Sequence, residues 1–343
     1  MLVSCNNEIL EGETDMTVPE NGYIFFNTDV DSRGVLIEDR LEANFGVMGY
    51  HYAGESNWNT AKALATPNVF DTYNQQVIWE NNLHKYTPQK PWLAGQKYSF
   101  FAYYPYGLTT SAATYEGNPY VKYTLASRSD ATELVDVMTS QVIDTDAGAR
   151  TVDFIMKHRL TAIDVVARNF NDQNQNVVIS NMSIEFDNLL FNNVTIPLNY
   201  TEEPDLVYEA LPTANTGEAT YPLLSNQSIT IAPSNEKSED TRITSSESET
   251  SMIIIPQERF YDLNKDNNID EINEDCSLKG RIILDYTLGN TTKTNEPLEF
   301  QINKDLKSGR RYFIQLTFTT DAVTIAVIES EEWSDQNIYH EFE

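Results

Sequence analysis

Cysteine is nearly absent from this sequence, which contains only Cys5 and Cys276. Two thiols so far apart make no disulfide framework, so the folded cores must hold by burial. Basic residues are also scarce, 23 Lys and Arg against 52 Asp and Glu, for a formal net charge of -29. That balance repels phosphate backbones, and no Lys/Arg cluster interrupts it, so no nucleic acid partner is expected. No apolar run approaches the about 18 residues of a spanning helix, so any membrane attachment must be non-spanning. The four histidines, His51, His84, His158 and His340, are scattered without zinc spacing. There is no Gly-x-Ser-x-Gly elbow, and no nucleophile motif surrounds Cys276. His158 lies on an apparent strand, where a structural role is expected of it. Carboxylates are too abundant for any pair to be singled out as a glycosidase acid and base. The chain is read as no enzyme.

Aromatic residues, by contrast, are plentiful, with 19 Tyr, 15 Phe and 4 Trp among 343 residues. They sit in short β-type runs separated by Gly, Pro, Asn and Asp, which favours sandwich architecture over alternating strands and helices. A first series covers residues 23–26, 35–37, 45–50, 77–80, 98–105, 121–125 and 135–138. A polar turn, Asp144-Thr145-Asp146-Ala147-Gly148, is the expected joint. A second series opens with an unbroken run over 152–166, continues through 177–186, 228–231, 252–256 and 280–286, and closes on a hairpin over 311–327. The expected fold is therefore all-β, two tandem β-sandwich domains over 23–147 and 148–343, preceded by a polar tether at 1–22. A Ser- and Glu-rich stretch over 234–250 reads as a loop within the second domain. No solenoid or propeller repeat is present.

The chain opens Met1-Leu2-Val3-Ser4-Cys5, which resembles a bacterial lipobox. In such a motif small residues admit a signal peptidase and the cysteine carries a diacylglycerol. Cys5 is thus the expected lipidation site, and the apolar and basic parts of a full signal are expected upstream. A lipid anchor with a polar tether would hold the body clear of the bilayer.

Several segments taken in order resemble the fimbrillin family of Bacteroidales pilins and fimbrillin-like lipoproteins. They are the lipobox at Cys5, Ser32-Arg33-Gly34 ahead of Phe45-Gly46-Val47, and Pro91-Trp92 before the aromatic run 98–105. Asp136-Val137-Met138, Val152-Asp153-Phe154 with His158, and Gly309-Arg310-Arg311-Tyr312 leading to Trp333 complete the series. The resemblance implies transthyretin-like sandwiches, export to the outer membrane and cell surface, and proteolytic maturation after an arginine. Arg33 is the positional match, with Arg40 as a competing basic site. Cutting there would remove the strand over 23–26 and open an edge that a donor strand from another pilin subunit fills. The acidic segment beyond Trp333 is a poor donor, which favours a tip or anchor component over a shaft subunit.

Two further features stand beside that reading. Asp262, Asn264, Asp266, Asn268, Asp270 and Asn273 occupy the oxygen-ligand spacing of a calcium loop, Asn268 through its backbone carbonyl. Asn267 replaces the usual glycine, and Asn273 replaces the bidentate glutamate. A structural Ca2+ and an ordinary solvated Asp/Asn loop are both compatible with that composition. The competing functional class is a monomeric surface glycan-binding lipoprotein. Its sugar platform would come from Trp58, Trp79, Trp92 and the cluster Tyr103-Tyr104-Pro105-Tyr106, provided these aromatics are exposed rather than core.

Overall fold

The computed structural model describes residues 22–30, 41–62, 67–110, 118–124, 136–187, 191–200, 206–210, 219–224, 227–234, 241–243, 252–257, 278–302 and 305–329. The chain is all-β. Its strands are β1 (Phe25–Val30), β2 (Phe45–Ala53), β3 (Gln75–Glu80), β4 (Leu83–Lys85), β5 (Gln96–Tyr104), β6 (Thr109–Thr110) and β7 (Tyr120–Thr124). They continue as β8 (Met138–Thr145), β9 (Thr151–His158), β10 (Thr161–Asn169), β11 (Val177–Phe186), β12 (Phe191–Pro197), β13 (Val207–Ala210) and β14 (Ala219–Leu224). The last are β15 (Ile229–Ile231), β16 (Thr241–Arg242), β17 (Met252–Ile254), β18 (Leu278–Leu288), β19 (Thr291–Ile302), β20 (Arg311–Phe318) and β21 (Val323–Glu329). One short helix, α1 (Trp58–Ala61), interrupts them. Among the described residues no helix is long and apolar enough to cross a membrane.

A seven-stranded sheet runs β1-β9-β8-β5-β2-β3-β4. Its middle strands carry continuous rather than alternating apolar runs, because both of their faces are covered. Phe45–Tyr50 of β2 and Tyr98–Tyr103 of β5 are buried without a break. Phe45, Val47, Phe100 and Ala102 enter one core cluster with Phe26 and Phe154. Met48, Tyr50, Phe101 and Tyr103 enter the other, with Val121 and Tyr123 of β7 and Val194 and Ile196 of β12. The sheet curls until β1, at one end of the hydrogen-bonded order, lies against β4 at the other. Gly46 is required by this packing: a Cβ there would stand 2.4 Å from the Tyr103 ring.

A second pair of sheets, β16-β10-β20-β21 and β14-β11-β18-β19, shares the larger cluster. Ile163 and Val165 of β10 and Ile314 and Leu316 of β20 join it from one sheet, and Ile184 of β11 and Ile282 of β18 from the other. Tyr286 and Phe318 meet edge to face at 5.2 Å between the two sheets. A four-stranded sheet, β13-β12-β7-β6, combines strands from early and later parts of the chain.

The long run over 152–166 is divided, contrary to its expected place wholly in the second series. β9 pairs with β8 and β1 in the first sheet, and β10 begins the next. The polar segment 144–148, expected as the joint, leads into a 3-10 turn at Ala147–Ala149 between two strands that pair with each other. The change of sheet falls instead at Arg159 and Leu160, both fully buried. Arg159 Nε donates to Thr139 Oγ1 at 2.6 Å, and its guanidinium lies 4.5 Å over the Tyr200 ring. No Gly or Pro marks this passage, so local turn chemistry gives no signal for it.

Asp144 ties α1 to the first sheet. With φ at +58°, its Oδ1 accepts from the Tyr52 hydroxyl at 2.6 Å and the Trp58 amide at 2.8 Å. Trp58 is thereby seated between Tyr50 and Phe101, each at 4.9 Å. Asp144→Ala removes the acceptor of two part-buried donors, and the expected loss is about 1–3 kcal/mol of unfolding free energy in urea. A red-shifted Trp58 emission should accompany it, whereas Asp144→Asn, which keeps the carbonyl oxygen, should lose less on both measures.

Candidate functional site

Strand β1 and the residue before it alternate cleanly: Ile24, Phe26 and Thr28 are buried, while Phe25 and Asp29 are exposed. Its backbone runs parallel to β9, from Phe25 opposite Thr151 to Val30 opposite Met156. On the other side Tyr23 bridges Pro91, the Ile24 amide donates to Lys90 O at 2.9 Å, and the Trp92 amide donates to Gly22 O at 3.1 Å. Residues 25–30 are thus paired with β9, and residues 22–24 just before them with the 90–92 stretch.

The aromatic side chains explain why the strand is held so firmly. Phe26 lies parallel to Phe154 at 5.6 Å and edge-on to Phe100 at 5.6 Å, with Tyr86 at 5.4 Å and Phe70 at 6.2 Å. Aromatic pairs at these separations add to the gain from area burial. Thr28 Oγ1 lies 2.9 Å from His84 Nε2, and the imidazole packs on Phe45 at 5.1 Å and Trp79 at 4.7 Å. The Tyr86 hydroxyl donates to Ile24 O at 3.0 Å and accepts from the Lys90 amide at 3.2 Å. Burial pushes the Tyr86 phenol up to about 12, the Lys90 amide offsetting part of that rise. Cutting the chain after β1 and withdrawing the strand would uncover a row of distinct subsites: one aliphatic, one aromatic, one polar.

Cys5, Arg33, Arg40, the Asp262–Asn273 loop residues, Cys276 and Trp333 lie outside the described residues. Among the described residues no group of three or more His, Cys, Asp or Glu side chains comes together to hold a metal ion. His158 is partly buried at the end of β9, its Nδ1 2.5 Å from Asp136 Oδ2. The aromatic platform does not form as expected. Trp58, Trp92 and Tyr103 are 1%, 2% and 0% exposed and serve the cores, so they cannot stack on a sugar. Trp79 and Tyr104 are partly covered, and Tyr106 is exposed. Sequence reasoning missed His84, Tyr86, Phe70 and Phe154 as the walls of the β1 site. Their assembly depends on a parallel pairing between distant segments, for which no local signal exists.

Stacked sheets, antiparallel but for the pairs β1–β9 and β10–β20, with few helical residues among those described, define the molecule as a β-sandwich protein. The sequence profile of the fimbrillin-like family matches residues 37–333, and the chain belongs to that family. Among solved structures, a fimbrial protein from Bacteroides vulgatus is similar at 19% identity and a TM-score of 0.64, covering 90% of this chain and 99% of its own. A candidate cell adhesion protein from Bacteroides ovatus is similar at 16% identity and a TM-score of 0.50, over 92% of this chain and 99% of its own. Another from Bacteroides uniformis shows 13% identity and a TM-score of 0.50, over 91% and 99%. No curated protein matches the chain.

Because the neutral Tyr86 phenol is favoured in the fold, its contribution is fully present below the ordinary tyrosine value near 10. It is lost as pH rises from there through about 12. Spectrophotometric titration at 295 nm should show Tyr86 ionising late, and Tyr86→Phe should delete a late step. Phe26→Ala should lower the unfolding free energy by about 3–5 kcal/mol, as expected for emptying a ring-lined site.

Proposed function

We propose that this protein is a structural and adhesive component of a bacterial surface fimbria, a tip or anchor pilin. On this reading it joins other pilin subunits by strand complementation after cleavage at Arg33, and its role is not catalytic. The observation that carries the reading is β1 itself: its inward side chains are core residues, yet Arg33 lies in the segment 31–44 that links it to β2. The family match begins at residue 37, leaving β1 outside it. A strand that fills a core and is covalently removable leaves unpaired backbone groups and empty subsites, the two requirements of strand addition.

Cys5 completes the reading as the lipid-bearing residue of an outer-membrane lipoprotein, with the acidic body displayed at the cell surface. The charge of -29 supports solubility of that body. The loop carrying Asp262, Asn264, Asp266, Asn268, Asp270 and Asn273 is read as a structural calcium site.

An arginine-specific protease at low dose tests the central step. The expected product begins at Gly34, stays folded, keeps residues 22–30 by non-covalent contact, and releases them when a donor strand is supplied. Arg33→Lys should block the cut. Cleavage at Arg40 alone, or a cut body inert to donor strands, would sink the reading and favour a monomeric glycan binder. For the loop, calcium should raise the thermal midpoint and chelator should lower it. The paired change Asp262→Ala and Asp266→Ala should abolish both shifts; a midpoint indifferent to calcium in the unaltered chain would remove the metal.

A further inference from the structure

The inward residues of β1 and the residue just before it differ in kind and come in a fixed order: aliphatic Ile24, aromatic Phe26, hydroxyl Thr28. Ile24 and Thr28 are 0% exposed and Phe26 is 5% exposed. Thr28 is the informative member, because a valine would fill the same volume and bury more apolar surface. What threonine adds is the hydroxyl 2.9 Å from His84 Nε2. His84 packs against rings on two sides, Phe45 at 5.1 Å and Trp79 at 4.7 Å, with its Nε2 toward the strand. An incoming strand that lacks a hydroxyl at this place loses the contact with the half-buried imidazole, a loss on the scale of one hydrogen bond. The intervening positions impose little: Phe25 and Asp29 are exposed and Asn27 is half-buried.

We propose that the β1 groove selects its incoming strand by a hydroxyl, with His84 as the reading residue. The partner is a segment of another chain running parallel to β9. At successive alternate positions it carries an aliphatic residue, an aromatic residue and a threonine or serine. Direction follows from the order of the subsites: a strand entering in reverse would set its aliphatic residue against His84 and its hydroxyl at the Ile24 position. The inference rests on the strand-replacement reading above, but the Thr28–His84 contact that underlies it can be measured without cleavage.

In the intact chain, Thr28→Val, His84→Leu and their combination are compared by urea denaturation. Thr28→Val is expected to lower the folded-to-unfolded ratio roughly tenfold. In the His84→Leu background the same change should cost little, and strict additivity would overturn the pairing. Should His84→Leu not fold, His84→Gln replaces it as a variant that retains hydrogen-bonding capacity and should preserve the preference for threonine. The second arm uses the full chain cut at Arg33 and fluorescent peptides with the sequence of residues 22–30. The unaltered peptide should bind, its Thr28→Val form roughly tenfold more weakly, and the reversed sequence weaker still. Equal binding of the Thr and Val peptides would overturn hydroxyl selection while leaving strand replacement intact. Failure of every peptide, with the coupling in the intact chain preserved, would overturn strand replacement and the selection built on it.

Discussion

The insertion of Phe26 among Phe154, Phe100, Tyr86 and Phe70 is the contact on which the first sheet depends. Those rings come from segments of the chain that do not pair directly with one another. Phe154 lies on β9, Phe100 on β5, Phe70 in the connection before β3, and Tyr86 just after β4. The curled sheet encloses a volume that its other six strands leave open, and β1 supplies the ring that occupies it. Residues 25–30 then acquire backbone partners on β9 and residues 22–24 on the 90–92 stretch, so side-chain burial and main-chain pairing form together.

That arrangement makes the composition intelligible. A chain with two cysteines and a charge of -29 has little to build a disulfide framework or balanced ion pairing from. Its cores are instead dense in Tyr, Phe and Trp, whose edge-to-face geometries recur throughout the first sheet. Several phenols are deeply desolvated; burial also raises Tyr103 to about 12, although Asn74 donates to it. Stability therefore derives from groups that stay neutral across the physiological range, while the carboxylates are left largely to the surface.

Much of this fold was legible in the sequence, for reasons that can be named. The run Tyr98–Tyr103 signals a strand covered on both faces because no polar residue but Ser99 interrupts it. The alternation in Thr151–His158 signals a strand with one wet face, as its exposed Asp153 and Ile155 show. Pairing was not legible. The run over 152–166 reads as a single segment because the sheet change at Arg159 uses a buried guanidinium, held by Thr139 and Tyr200, in place of Gly or Pro. For the candidate site, the apolar character of β1 and the arginine beyond it were visible. The polar subsite was not, since His84 acquires its meaning only when β4 lies beside β1. The aromatics proposed as a sugar platform failed on the same point: Trp58, Trp92 and Tyr103 carry no local mark that separates exposure from burial.

The covalent link through 31–44 sets the terms on which any other strand could enter the groove. While β1 belongs to the same chain, its effective concentration at the groove is on the order of millimolar or higher, and an outside strand must compete against that. Cutting the link leaves every contact of Ile24, Phe26 and Thr28 unchanged, so the cut strand does not leave because its fit has worsened. Dissociation becomes an escape into dilute solution, and recapture becomes bimolecular. An incoming strand tethered by a large partner subunit then holds the advantage that β1 has lost, even if its side chains fit no better. On the proposed reading the protease changes molecularity rather than affinity, and the chemistry of the subsites decides which strand benefits.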